Sequence, residues 1–98
     1  MAISMLQEMP NNTLENYDAV TSRAGIESDP PEGLIFHTAA EMAGGGVRIF
    51  NVWESRDALE RFQDERLLPA IREHLGELPA PPPEQKITEV HHLVAPSR

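Results

Sequence analysis

The sequence predicts an α+β domain of ferredoxin-like β-α-β-β-α-β order, with a four-stranded antiparallel sheet. Three observations predict it. Four short apolar or β-branched runs have the length of strands, two segments repeat their apolar residues at helical spacing, and Gly, Pro and Asn clusters separate them in that order. At 98 residues the chain is read as one domain with room for one modest core. Its apolar fraction of 40% is ordinary for a folded protein, although nine prolines and six glycines interrupt it often.

Ala2 to Glu8 is short and mostly apolar and is stopped by Pro10-Asn11-Asn12, so it reads as the first strand. Thr13 is placed to cap a helix in which Leu14, Tyr17, Val20, Thr21 and Ala24 recur at three- and four-residue spacing up to Gly25. Ser28, Asp29, Pro30 and Pro31 then make a loop, because each proline lacks an N–H and restricts the residue before it. Gly33 opens the second strand, Leu34 to Ala40, and Gly44-Gly45-Gly46 turns it into the third, Val47 to Glu54. That triple glycine is no phosphate cradle: no Lys-Ser/Thr pair follows it, and the next segment is a strand.

Ser55 caps a second helix with Asp57 in its first turn. Its apolar stripe is Ala58, Leu59, Phe62, Leu67 or Leu68, Ile71 and Leu75, and Gly76 ends it. Pro69 predicts a kink or break near Leu67-Leu68. Pro79-Ala80-Pro81-Pro82-Pro83 reads as a stiff linker, and Lys86 to Val94 as the fourth strand.

Sixteen acidic against eight basic residues give a net charge of −8, which repels phosphate backbones and anionic lipid, so neither nucleic acid nor membrane is expected as a partner. The chain has no cysteine for thiolate chemistry or Cys-based zinc sites. There is no signal-peptide pattern after Met1 and no apolar run of membrane-spanning length, so a cytoplasmic location is expected.

A sheet with one wet face should alternate apolar and polar residues. Here Leu34, Ile35, Phe36, Ala39 and Ala40 occupy both faces of the second strand. In the third, Val47, Ile49 and Trp53 share one face while Phe50 and Val52 lie on the other. Two helices cover one side only, which predicts a homodimer through the sheet.

The run Asn51-Val52-Trp53-Glu54-Ser55-Arg56-Asp57-Ala58-Leu59 resembles the strand-to-helix junction of the dimeric α/β-barrel superfamily, particularly its antibiotic-biosynthesis-monooxygenase-like proteins. Gly33 followed by an apolar strand carrying His37 is similar to their second strand. The resemblance covers nearly the whole chain in element order, and the Trp53 to Leu59 junction is its specific part. It implies two sheets packed across a dimer, helices outside, and a ligand cavity between each sheet and its own helices. Some members are cofactor-free oxygenases of aromatic polyketides, and others degrade haem. This sequence departs from the family pattern by having Phe62 where members often carry a helix histidine, and Asn51 where they often carry a glutamate. The tryptophan and haem-ligating histidine of the haem-degrading members are not supplied by Phe62 or Arg72, which leaves only His74.

Three residues are candidates for catalysis: His37, Asn51 and His91. An imidazole on the strand of His37 can act as a base near neutral pH or as a hydrogen-bond donor, and it can equally be architectural. Asn51 and Trp53, two apart, share a face, so the amide could hold a developing oxyanion while the indole stacks on a flat ligand or packs in the core. Glu89 and His91 share a face of the fourth strand as read above, with His92 opposite. Neighbours on a strand cannot both reach one interior ion and there is no HExxH, so no metal is expected, and without the helix tryptophan and histidine of the haem-degrading members the resemblance implies no cofactor. Tyr17 could close the cavity from the first helix, and the resemblance adds Phe62 to its lining.

The expected function is that of a small homodimeric cofactor-free monooxygenase-like enzyme. It would abstract a proton from a bulky phenolic or polyketide-like substrate, with oxygenation, cyclisation or isomerisation to follow. The alternative is a non-catalytic dimer that binds a small apolar or aromatic ligand or serves as an accessory subunit.

Overall fold

The computed structural model describes residues 1–79 and 81–96; Ala80 of the proline-rich linker, Ser97 and Arg98 lie outside the described residues. In chain order the elements are β1 (Ile3–Met9), α1 (Leu14–Ala24), β2 (Leu34–Glu41), β3 (Val47–Trp53), α2 (Arg56–Phe62), a π-helical turn (Gln63–Leu67), α3 (Leu68–Leu75) and β4 (Lys86–Glu89). The strands form one antiparallel sheet in the order β2-β3-β1-β4. This is the ferredoxin-like arrangement expected from the sequence, with the second helix divided.

The caps are where the sequence places them. Thr13 Oγ1 accepts the Asn16 N–H at 3.1 Å, and Ser55 Oγ accepts the Ala58 N–H at 3.1 Å. Each satisfies an N–H that the first helical turn leaves without a partner. Gly25 ends α1 in the left-handed region, where its N–H reaches the Thr21 and Ser22 carbonyls.

The division of the second helix follows from Pro69. Proline has no N–H to give, and just before it the ladder loosens: the Leu68 N–H bonds the Gln63 carbonyl five residues back. The extra residue turns the rest of the helix to a new phase. Ala70 faces the core, whereas Leu68 and Leu75 are exposed, Leu75 at 49%. The expected stripe therefore fails at Leu75.

The fourth strand also differs from expectation. Lys86 to Glu89 pair with Leu6 back to Ile3, and one further bond joins the Val90 N–H to the Ala2 carbonyl. β1 starts at Ile3, the ladder stops with Glu89 and the single Val90 bond, and the strand ends well short of Val94. His91 and His92 lie past it and are exposed.

The two faces of the sheet are distinct. Ile3, Met5 and Trp53 form a core with Ala24 of α1, Ala58, Leu59 and Phe62 of α2, and Ala70 of α3. The opposite face carries Leu6, Phe36, Phe50 and Val52, with the Arg48–Glu8 ion pair at one end. The Phe36 and Phe50 rings lie 5.9 Å apart, and each residue is 37% exposed. Gly33 carries the chain past α2 into β2 at a φ of +88°; a Cβ there would stand 2.5 Å from that of Ala58.

Candidate functional site

The β2–β3 ladder decides which side chains meet. Leu34 pairs with Trp53, but Phe36 pairs with Val52, so Ile35 is an extra residue in β2, a β-bulge. Were Ile35 paired in the ladder instead of bulged, His37 would stand opposite Phe50 on the face away from the helices, because a one-residue slip turns every side chain over. With Ile35 bulged, His37 stands opposite Asn51 on the helix side.

Four side chains then join in a line. The Trp53 indole Nε1–H donates to Asn51 Oδ1 at 2.9 Å, the Asn51 amide nitrogen is 3.2 Å from His37 Nδ1, and His37 Nε2 is 2.6 Å from the Tyr17 hydroxyl. The Tyr17 and His37 rings are also parallel to within 5°. Trp53 (0% exposed) and Asn51 (4%) are buried, while His37 and Tyr17 are half-buried. The line runs from the core outward along the sheet, to edge strand β2 and the helix above it.

Burial and geometry set the charge states. Desolvation pushes the His37 pKa below the ordinary histidine value. Tyr17 is pushed the other way: burial raises its pKa first, and the negative charges of Asp18 and Glu27 raise it further. A neutral imidazole beside a protonated phenol is the resting state.

The remaining candidates are placed differently. Trp53 and Phe62 pack on each other with ring centroids 5.5 Å apart, and both are in the core, so as packed neither presents a face to a ligand. His91 follows β4 at the opposite edge of the sheet from β2 and has no part in the line. The Glu89–His91 pair expected on one face of the fourth strand does not form, because that strand ends at Glu89.

One residue was not anticipated. Arg66, in the π-helical turn, stands 5.6 Å over the Phe62 ring and donates to the Asp29 carboxylate at 3.2 Å and to the Asp29 carbonyl. It ties the α1–β2 loop to the second helix. Its only sequence signal was its distance of four residues from Phe62.

Two shallow clefts open elsewhere. One of about 300 Å³ lies between Ile3, Ser55, Arg56 and Ile87, and one of about 430 Å³ lies against Leu68, Pro69, Arg72 and Leu78. Neither reaches Tyr17 or His37. Among the described residues, no three His, Asp or Glu side chains gather as a metal-binding group, and no helix is long and apolar enough to cross a membrane.

Comparison with known proteins places the architecture. The chain superposes on the crystal structure of a candidate antibiotic biosynthesis monooxygenase from Chloroflexus aurantiacus with a TM-score of 0.69, covering 97% of this chain and 98% of that one at 13% identity. The chain has the fold of the antibiotic-biosynthesis-monooxygenase-like proteins. SnoaB, a cofactor-independent oxygenase from Streptomyces nogalater, matches over 95% of both chains at 16% identity and a TM-score of 0.62. The ActVA-Orf6 monooxygenase of Streptomyces coelicolor, in complex with nanaomycin D, matches over 98% of this chain and 92% of that one, at 19% identity and a TM-score of 0.60. No protein-family model and no curated protein matches the sequence.

Proposed function

We propose that the protein is a small, homodimeric, cofactor-free oxygenase-like enzyme that binds a bulky phenolic or polyketide-like molecule beside Tyr17 and His37. The observation that carries this reading is the Trp53–Asn51–His37–Tyr17 line, a buried polar array on the helix side of a sheet whose fold is shared with oxygenases. A buried amide, indole and imidazole in sequence are costly unless every group is paired. Here they end on a hydroxyl that is open to a further partner.

Substrates of this class supply their own electrons. An anthrone-type CH2 flanked by aromatic rings loses a proton to solvent water to give an enolate, which passes electrons directly to dioxygen; CH2 and O2 become C=O and H2O. The site's contribution is to hold the oxygen that bears the developing charge. In the arrangement observed, Asn51 is engaged by Trp53 and His37, so Tyr17 is the group left to do this. His37 supports it from behind, and His91 takes no part. The open sheet face carrying Phe36, Phe50, Leu6 and Val52 supports the homodimer.

The non-catalytic alternative is favoured by one observation: Asn51 and His37, two of the expected catalytic groups, are already paired within the protein. Oxygen uptake separates the two readings. With a panel of anthrones and hydroxynaphthalenes, protein-dependent uptake and a product gaining one oxygen atom from labelled dioxygen are expected, and Tyr17→Phe should lower kcat/KM about tenfold. Saturable binding with no uptake for any member would establish the binder instead.

A further inference from the structure

The hydrogen bonds from Trp53 to Tyr17 have only one self-consistent direction. An indole nitrogen can donate and cannot accept, so the Asn51 atom that meets it at 2.9 Å must be the carbonyl oxygen, which fixes the amide's orientation. The amide nitrogen, a donor only, is then the atom 3.2 Å from His37 Nδ1. That ring nitrogen must offer a lone pair. A neutral imidazole carries one proton, which is therefore on Nε2, 2.6 Å from the Tyr17 oxygen.

We propose that Trp53 and Asn51 are positioning residues that hold the His37 proton on Nε2, so that the Tyr17 hydroxyl accepts from His37 and directs its own proton to a carbonyl or phenolate oxygen of the ligand. The reverse assignment, with a proton on Nδ1, sets two donors face to face unless Asn51 turns over. Asn51 turned over would set its NH2 against the Trp53 N–H. Trp53 and Asn51 are both buried, so neither donor in that second clash has solvent to turn to. Protonating His37 fully meets the same obstacle, so the ring is a poor proton acceptor and relays hydrogen-bond direction only, not a proton. The shifts in His37 and Tyr17 agree with this: each group keeps the neutral form that the direction requires.

The inference deepens the proposed function by assigning the role of each member of the line; it depends on that reading only for the choice of ligand. Its test is the protonation pattern of His37. In a long-range proton–nitrogen correlation spectrum of 15N-labelled protein at neutral pH, the His37 signals are identified by their loss in His37→Gln. Nδ1 is expected to resonate as an unprotonated nitrogen and Nε2 as a protonated one. A proton on Nδ1, alone or together with Nε2, overturns the proposal.

Asn51→Asp supplies an acceptor to both neighbours and should draw the His37 proton to Nδ1, leaving Tyr17 to donate to Nε2 instead of to the ligand. Binding of 4-nitrophenol, followed by the colour of its phenolate, should then fall to that of Tyr17→Phe, about tenfold below wild type. The negative charges of Asp18 and Glu27 act on Tyr17 in wild type and are unchanged in both variants. Asn51→Asp adds a charge of its own, so Tyr17→Phe is the variant that isolates the donor, and the His37 spectrum of Asn51→Asp shows whether its loss comes with the inverted ring. An inverted ring with undiminished affinity would count against the proposal. If Asn51→Asp does not fold, the wild-type spectrum decides alone. The predicted spectrum and loss of affinity in a protein without oxygen uptake would support the relay and reject the oxygenase reading.

Discussion

His37 lies directly opposite Asn51 across the β2–β3 ladder, with the amide nitrogen 3.2 Å from the ring, because Ile35 is an extra residue in β2. The bulge lets Leu34 and His37, three apart, share one face. Deleting Ile35 takes out the unpaired residue and leaves Phe36 opposite Val52 and His37 opposite Asn51 in a continuous ladder. The tyrosine-to-imidazole cross-peaks in a nuclear Overhauser spectrum are therefore expected to persist in the deletion variant. Their disappearance would show that the ladder re-registers and that the observed pairing does not hold His37 on the helix side.

Asn51 has protein partners on both ends of its amide. Asn51→Ala would leave the Trp53 N–H buried without an acceptor, which costs about 1–3 kcal/mol. Urea unfolding should show that loss with an unchanged denaturant slope. A variant as stable as wild type would mean that Asn51 is held for its ligand alone.

The depressed pKa of His37 makes stability depend on pH. The unfolded chain binds a proton at the ordinary histidine pKa of 6.5, while the folded chain resists it. Stability from this group is therefore complete above 6.5 and is lost as pH falls below it towards the lower folded value. Between about pH 7.5 and about pH 5.5, wild type should lose more stability than His37→Gln, whose other titrating groups are the same. Parallel curves for the two proteins would contradict the shift.

The open face of the sheet gives a prediction about assembly. Phe36 and Phe50 pack on each other there, beside Leu6 and the buried Val52. Phe50→Glu places a charge in the middle of this face without touching the helix-side core. Sedimentation should show a dimer for wild type and a folded monomer for the variant, whereas a monomeric wild type at micromolar concentration would reject the dimer.

Much of the fold was legible in the sequence, since caps, prolines and glycines act through neighbours in the chain. Thr13, Ser55, Gly25 and Gly76 mark the helix ends where the structure has them. Pro69 marked the irregularity in the second helix, but the phase change that turns Ala70 into the core depends on a π-helical turn, which periodicity assumes away. The length of β4 depends on where β1 begins to pair, a non-local quantity, so His91 was read onto a strand it does not join. The pairing of His37 with Asn51 was not legible for the same kind of reason. Leu34-Ile35-Phe36 is apolar throughout, and nothing in such a run shows which residue is the extra one.

A ligand oxygen at the Tyr17 hydroxyl is directly measurable, because Tyr17 is the single tyrosine of the chain. Protein labelled with 13C at the tyrosine ring carbon bearing the hydroxyl gives one resonance. On titration with 4-nitrophenol that resonance should move and saturate with the same Kd as the colour change of the probe. Saturable binding of the probe with the Tyr17 resonance unmoved would contradict the account.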